Sequence, residues 1–264
     1  MHPLVNIGVR AARAAGKIIA QAYERADELE ISLKDRNNFV TQIDQQSEQE
    51  IIRTIKQAYP DHAILGEETG SQAGSSPDEI TWVIDPLDGT TNFIHKYPVF
   101  AVSIGIMQKG RVEHAIIYDP TRDELFTASR GRGAHVNAKR LRVGGQQSLE
   151  GALISFSVSA RSHTMVLDFA KILTTHEHAV SGSRHSGSAA IDLSYVAAGR
   201  LDGCLQYDLQ PWDIAAGMLL ITEAGGLTSD FEGGNQMMER GEVVAGNPKI
   251  FKSMLQVAGM LNKK

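Results

Sequence analysis

The densest chemistry in the sequence is the run Asp85-Pro86-Leu87-Asp88-Gly89-Thr90-Thr91. Pro86 fixes its own φ and pushes Asp85 into the extended region, which predicts a short buried strand over residues 81–84 that ends at Asp85 and turns. Two carboxylates three apart on such a turn converge on one point, where they repel unless a cation lies between them. Hard oxygen donors of this kind, with the Leu87 carbonyl in reach, suit Mg²⁺. Gly89 lets the backbone approach a ligand, and the two threonines can open a helix whose free N–H groups bind an anion. Taken alone, the same residues also fit an Asp–Pro turn followed by a capped helix. Upstream, adjacent side chains of Glu67-Glu68 point to opposite sides of an extended segment, so only one can join the same site. Asp213, after Trp212, opens an apolar helix and reads by itself as an N-cap.

Other chemistries lack their signatures. No G-x-S-x-G elbow, P-loop or G-x-G-x-x-G occurs, which removes the main support for a serine hydrolase, a P-loop kinase or a dinucleotide oxidoreductase. His176, His178 and His185 suggest no third zinc ligand by spacing. The single Cys204 sits in an apolar context, reads as a buried thiol, and fits a reducing, cytoplasmic setting. With 26 basic against 31 acidic residues the net charge is -5, and no basic stripe offers itself to nucleic acid. The longest apolar run, residues 99–107, is too short to span a bilayer.

Around these residues the pattern places helices and strands in both halves of the 264-residue chain. Val5, Gly8, Ala12, Ala15, Ile19 and Ala22 step by three or four, as on a core-facing first helix. The absence of acids before Glu24 also suits a mitochondrial leader, but serines and a cleavage-like break are missing. A short strand over 30–33, a polar loop over 34–38 and a second helix over 41–58, stopped by Pro60, follow. Residues 63–65 are a short hydrophobic stretch, strands are expected at 99–107, 111–118 and 124–128, and residues 71–77 read as a loop. Consecutive strands favour a large mixed or antiparallel sheet with helices on it, an α+β arrangement, over a doubly wound one. The second half suggests strands at 152–156 and 201–205, with residues 241–246 leading to the last helix. Helices are expected at 164–173, 188–198, 213–224 with Gly225 closing it, and 248–261. The chain reads as one catalytic unit over 1–264, softly divided into 1–145 and 146–264 near residues 142–151.

Residues 82–95, centred on Asp85 to Thr91, resemble the first signature of the inositol monophosphatase family. Trp212-Asp213-Ile214-Ala215-Ala216-Gly217, continuing to Glu223-Ala224-Gly225-Gly226, resembles the second. Gly66-Glu67-Glu68-Thr69 is similar to the family's Gly-Glu-Glu-Ser element. Met1-His2-Pro3 and residues 10–16 resemble the bacterial SuhB-type branch.

The resemblance implies a layered αβαβα sandwich, a homodimer, and Mg²⁺-dependent, Li⁺-sensitive hydrolysis of a small phosphate monoester such as inositol 1-phosphate. Nucleotide and sugar bisphosphates are the alternative substrates. It implies two to three Mg²⁺ ions. Glu67, Asp85 and the Leu87 carbonyl would hold the first, and Asp85, Asp88 and Asp213 the second. Glu67 would help hold a weaker third. Thr90 with Glu67 would orient the attacking water, Asp44 would tune the water network, and Lys34 would be the catalytic-loop lysine, although its spacing is off by one residue. The N–H groups of Gly89 and Thr90, with Asp88 beside them, would hold the phosphate. Gly187, Ser188 and Ala189 would meet the sugar ring.

One position departs from the family. Seven residues before Asp213, where a Glu usually accepts a hydroxyl hydrogen bond, stands Gln206, with Asp208 two residues on as a partial substitute. A neutral amide still accepts that bond but without charge assistance. SuhB-type members also imply a second role, through RNA polymerase or its antitermination factors.

Overall fold

Helix α1 (Pro3–Tyr23) begins where the His2 ring accepts a hydrogen bond from the Leu4 N–H and Pro3 takes the first helical position. Its Val5, Ala11, Ala12, Ala15 and Ile19 are buried, as the three–four stepping requires. At Gly16 a Cβ would come within 2.4 Å of the Tyr118 ring, so the helix docks there on bare backbone. The computed structural model describes residues 2–25, 31–35, 38–158 and 180–260, with the backbone alone over 31–41 and at 158. The helix expected at 164–173, and His176 and His178, lie outside these residues.

β1 (Ile31–Asp35) and β2 (Asn38–Thr41) pair antiparallel, with an irregularity between Leu33 and Asp35. The polar loop expected over 34–38 therefore includes residues 34, 35 and 38 of the two paired strands. Helix α2 (Gln42–Ala58) follows and lies against α1.

The expected large sheet has eight strands: β3 (Ala63–Gly66), β4 (Gly70–Gln72), β5 (Ile80–Asp88), β6 (Ala101–Gln108), β7 (Arg111–Asp119), β8 (Glu124–Ser129), β9 (Gly133–Val136) and β10 (Lys139–Arg140). Their order is β10-β9-β8-β7-β6-β5-β3-β4, and every neighbouring pair is antiparallel except β3 with β5. A second sheet joins β11 (Ala152–Val158), β12 (Val180–Arg184), β13 (Gly203–Tyr207), β14 (Leu227–Ser229) and β15 (Glu242–Gly246) in the order β12-β11-β13-β15-β14. The stretch read as a loop at 71–77 begins inside the short edge strand β4.

Helices α4 (Ala189–Ala197) and α5 (Pro211–Glu223) lie between the sheets, whereas α1 and α2 cover the outer face of the large sheet and α7 (Phe251–Ala258) that of the small one. The short α3 (Thr90–Ile94) and α6 (Met237–Arg240) complete the helices described. The result is an α+β sandwich layered αβαβα. Trp82 and Ile84 of β5 enter the core under α1 and α2, while Val83 enters the core under α4 and α5. Both faces of the central strands are covered, which is why residues 99–107 read as a continuous apolar run rather than an alternating one.

Candidate active site

β5 does not stop at Asp85. It continues to Asp88, and its register against β6 shifts between those two residues. Pro86, with no N–H to give, falls within this irregularity, so the expected strand end is instead a bulge. Asp85 is only 2% exposed, and its Oδ1 accepts from the Leu87 N–H at 2.9 Å. Burial, then the charges of Glu67, Asp88 and Asp213, push its carboxyl well above the ordinary range. Four acids from three separate parts of the chain thus act on one another.

Each is held by its own local device. The Glu67 N–H bonds the Ile84 carbonyl at 3.1 Å. Next to it, Glu48 of α2 accepts from the N–H groups of Glu68 (2.9 Å) and Thr69 (2.8 Å), and a Cβ at Gly66 would strike that carboxylate. Helix α5 starts at Pro211 with Gln210 as its cap, so Asp213 is not the N-cap its position suggested. It is the third helical residue, reaching back to the Gln210 N–H at 2.7 Å. Ser103, the cross-strand partner of Asp85, donates to the Trp212 carbonyl at 3.2 Å and ties the start of α5 to the acidic strand.

Asp88 reaches furthest. It accepts from the Ser188 hydroxyl and from the N–H groups of Ala190 at 2.7 Å and Ala189 at 3.3 Å, the first turn of α4. Burial pushes its carboxyl up to about 6, against the pull of those three hydrogen bonds. Among the described residues, no three His, Cys, Asp or Glu side chains stand close enough to form a ready coordination shell. The fit to a hard cation comes from the donor chemistry: carboxylate oxygens only, mutually repelling, two of them with their charged forms disfavoured.

At the turn itself, Gly89 has φ 97°, and a Cβ there would lie 2.9 Å from the Val99 carbonyl oxygen. Its left-handed backbone sets the start of α3 and with it Thr90, whose hydroxyl lies 2.8 Å from Asp44 Oδ1 and 3.0 Å from the Leu87 carbonyl. Asp44 is 1% exposed on α2. Asn92 donates from Nδ2 to the Val99 and Ser186 carbonyls at 2.7 and 2.8 Å, which joins α3 to the loop before α4.

The residues expected near a sugar ring divide. Ser188 and Ala189 are engaged by Asp88, and Gly187 (φ 81°) lies against Asn92, where a Cβ would come within 2.9 Å. Gln206 is fully buried on β13, and neither its Nε2 nor its Oε1 has a hydrogen-bond partner among the described residues. Lys34 is placed by its backbone at the irregularity of the β1–β2 hairpin; its side chain lies outside the described part. Glu48 is the residue that sequence reasoning missed. Its signal was a polar stripe on α2: Asp44, Ser47 and Glu48 occupy i, i+3 and i+4 and are all buried.

The family model for the inositol monophosphatase family matches residues 1–258. The chain is 49% identical over 258 residues to Nus factor SuhB of Pseudomonas aeruginosa, covering 97% of this chain and 95% of that protein. The crystal structure of extragenic suppressor protein suhB from Bartonella henselae superposes with a TM-score of 0.91 at 38% identity, covering 99% of each chain. The structure of inositol monophosphatase from Anabaena (Nostoc) sp. superposes with a TM-score of 0.83 at 34% identity, covering 96% of this chain and 94% of that one.

Proposed function

The chain belongs to the inositol monophosphatase family, and we propose that its acidic site hydrolyses inositol 1-phosphate or a related small polyol phosphate with Mg²⁺. The observation that carries this reading is the acidic quartet Glu67, Asp85, Asp88 and Asp213, with Asp85 buried and the other three partly exposed, whose mutual repulsion calls for a cation. Those carboxylates and the Leu87 carbonyl would hold Mg²⁺. When bound, the metal supplies Lewis-acid stabilisation of phosphoryl charge and more acidic water.

The chain's own groups supply orientation. The Thr90 hydroxyl, donating to Asp44, keeps its lone pairs for the proton of an incoming water, which Glu67 orients from the other side. Backbone N–H groups of Gly89 and Thr90 hold the phosphate. Water oxygen bonds to phosphorus as the ester oxygen leaves on the opposite side, and the alcohol departs with a proton. Gln206, an amide with no hydrogen-bond partner among the described residues, accepts a substrate hydroxyl without charge assistance, so discrimination among polyols is weak. Asp208 follows β13 with φ 61°, displaced from the strand that carries Gln206.

Phosphate release from inositol 1-phosphate, glycerol 2-phosphate, adenosine 3′,5′-bisphosphate and fructose 1,6-bisphosphate tests this, each with Mg²⁺, without it and with Li⁺. Turnover of the monoesters that requires Mg²⁺ and falls with Li⁺ supports the reading; preference for a bisphosphate replaces the substrate, and no turnover by folded protein removes the catalysis.

The 49% identity to a protein named Nus factor SuhB favours a second role beside catalysis, through contact with the transcription machinery. An Asp88→Asn chain that restores growth to a strain lacking the native protein, while releasing no phosphate, would support it.

A further inference from the structure

On the outer layer, away from the acidic quartet, the start of α1 and the strands β8 and β9 enclose a cleft of about 550 Å³. That volume lies in the range of small-molecule sites. Val5, Leu125 and Ala128 give it an apolar wall, His2, Arg132 and His135 line it with nitrogen donors, and no Asp or Glu lines it. Arg132 forms no ion pair among the described residues, although its neighbour Arg130 is held by Glu113 at 3.3 Å and by the Val112 carbonyl. Its loop is nevertheless fixed: the N–H groups of Gly131 and Gly133, on either side of Arg132, both donate to the Glu223 carboxylate at 2.8 Å. The His2 ring is fixed too, stacked on His114 with centroids 4.3 Å apart, and its Nδ1 accepts from the Leu4 N–H. Only its Nε2 side remains to donate. His114 bonds the Ser129 hydroxyl at 2.9 Å.

An apolar cleft rimmed by an exposed guanidinium without an ion-pair partner among the described residues and by two imidazoles, with no carboxylate in its lining, matches an amphipathic anion. We propose that this cleft is a binding site for a small organic anion, a phosphate or carboxylate on an apolar ring, separate from the phosphatase site. The anionic head meets Arg132, His2 and His135, and the ring lies against Val5, Leu125 and Ala128.

The test uses the full chain in EDTA, with 8-anilinonaphthalene-1-sulfonate as a fluorescent aromatic anion and N-phenyl-1-naphthylamine as its uncharged counterpart. Native protein is expected to bind the sulfonate saturably, one per chain. Arg132→Gln should bind it at least tenfold more weakly, while its affinity for the neutral dye, its thermal melt and its phosphatase rate stay unchanged. Phenylphosphonate and benzoate compete in separate arms, and whichever displaces the dye identifies the head group. Equal sulfonate binding by native protein and Arg132→Gln would show an apolar surface only and overturn the proposal. So would failure of both competitors to displace the dye.

Discussion

Replacing Asp88 by Asn separates what the acidic site costs the empty protein from what it gains with metal. Burial raises the Asp88 carboxyl from an ordinary 3.8 to about 6, even with three hydrogen bonds from α4 working the other way. A shift of about two units corresponds to ~3 kcal/mol at most of disfavoured charge at pH 7.5. The sign follows from linkage. A carboxyl whose folded value lies above its unfolded one contributes stability below 3.8 that is lost as pH rises through about 6. The amide carries no such charge, and it retains an oxygen for the α4 N–H groups. In EDTA at pH 7.5, Asp88→Asn should therefore melt about 2–8 °C above the native chain, a gap of roughly 1–3 kcal/mol at this size, and the two should converge near pH 4. With Mg²⁺ at about 100 times the dissociation constant, the protein that binds it gains ~2.7 kcal/mol, which nearly cancels the largest such gap and reverses a smaller one. Differential scanning calorimetry at three pH values, with EDTA or Mg²⁺, reads all of this. The reasoning fails if the variant melts below native protein in EDTA at pH 7.5, or if both gain equally from Mg²⁺.

Three further outcomes are expected. Thr90→Val should lower kcat about 10²-fold with KM little changed, whereas Thr90→Ser recovers most of it; steady-state kinetics with inositol 1-phosphate decide. Gln206→Glu should raise kcat/KM for inositol 1-phosphate relative to glycerol 2-phosphate about tenfold, the gain from a charge-assisted hydrogen bond, and an unchanged ratio would place Gln206 outside the substrate contact. His114 is half-buried, and burial, then the charge of His2, lowers it to about 4. Its neutral form thus supports folding above pH 6.5, and that support is lost as pH falls toward 4. Partial solvent screening leaves roughly 1 kcal/mol, so thermal melts of His114→Gln should lose less stability than native protein between pH 7 and pH 4.5.

The chemistry was legible where it was local. Asp85 to Thr90 lie within one strand and one turn, and the α1 face could be read from its period alone. What escaped depended on partners distant in sequence. Asp88 meets Ser188, 100 residues on, and Glu48 meets the turn after Glu67 from another helix. Asp44 could be named through the family's Thr-x-x-Asp element, but Glu48 escaped because nothing in α2 itself shows that its polar stripe faces backbone donors. Pro86 misled for a related reason. Its local effect ends pairing, but a bulge absorbs the missing donor and lets β5 carry both carboxylates into the site. Strands β4 and β10, three and two residues long, are too short to show a period.

The central claim is that Glu67, Asp85, Asp88 and Asp213 form one divalent-cation site. Crystals soaked in Mn²⁺ and measured for anomalous scattering test it most directly. The account predicts at least one strong anomalous peak bounded by those four carboxylates and the Leu87 carbonyl, absent from Asp88→Asn crystals. Peaks only elsewhere on the molecule, with the quartet fully ordered, would contradict it.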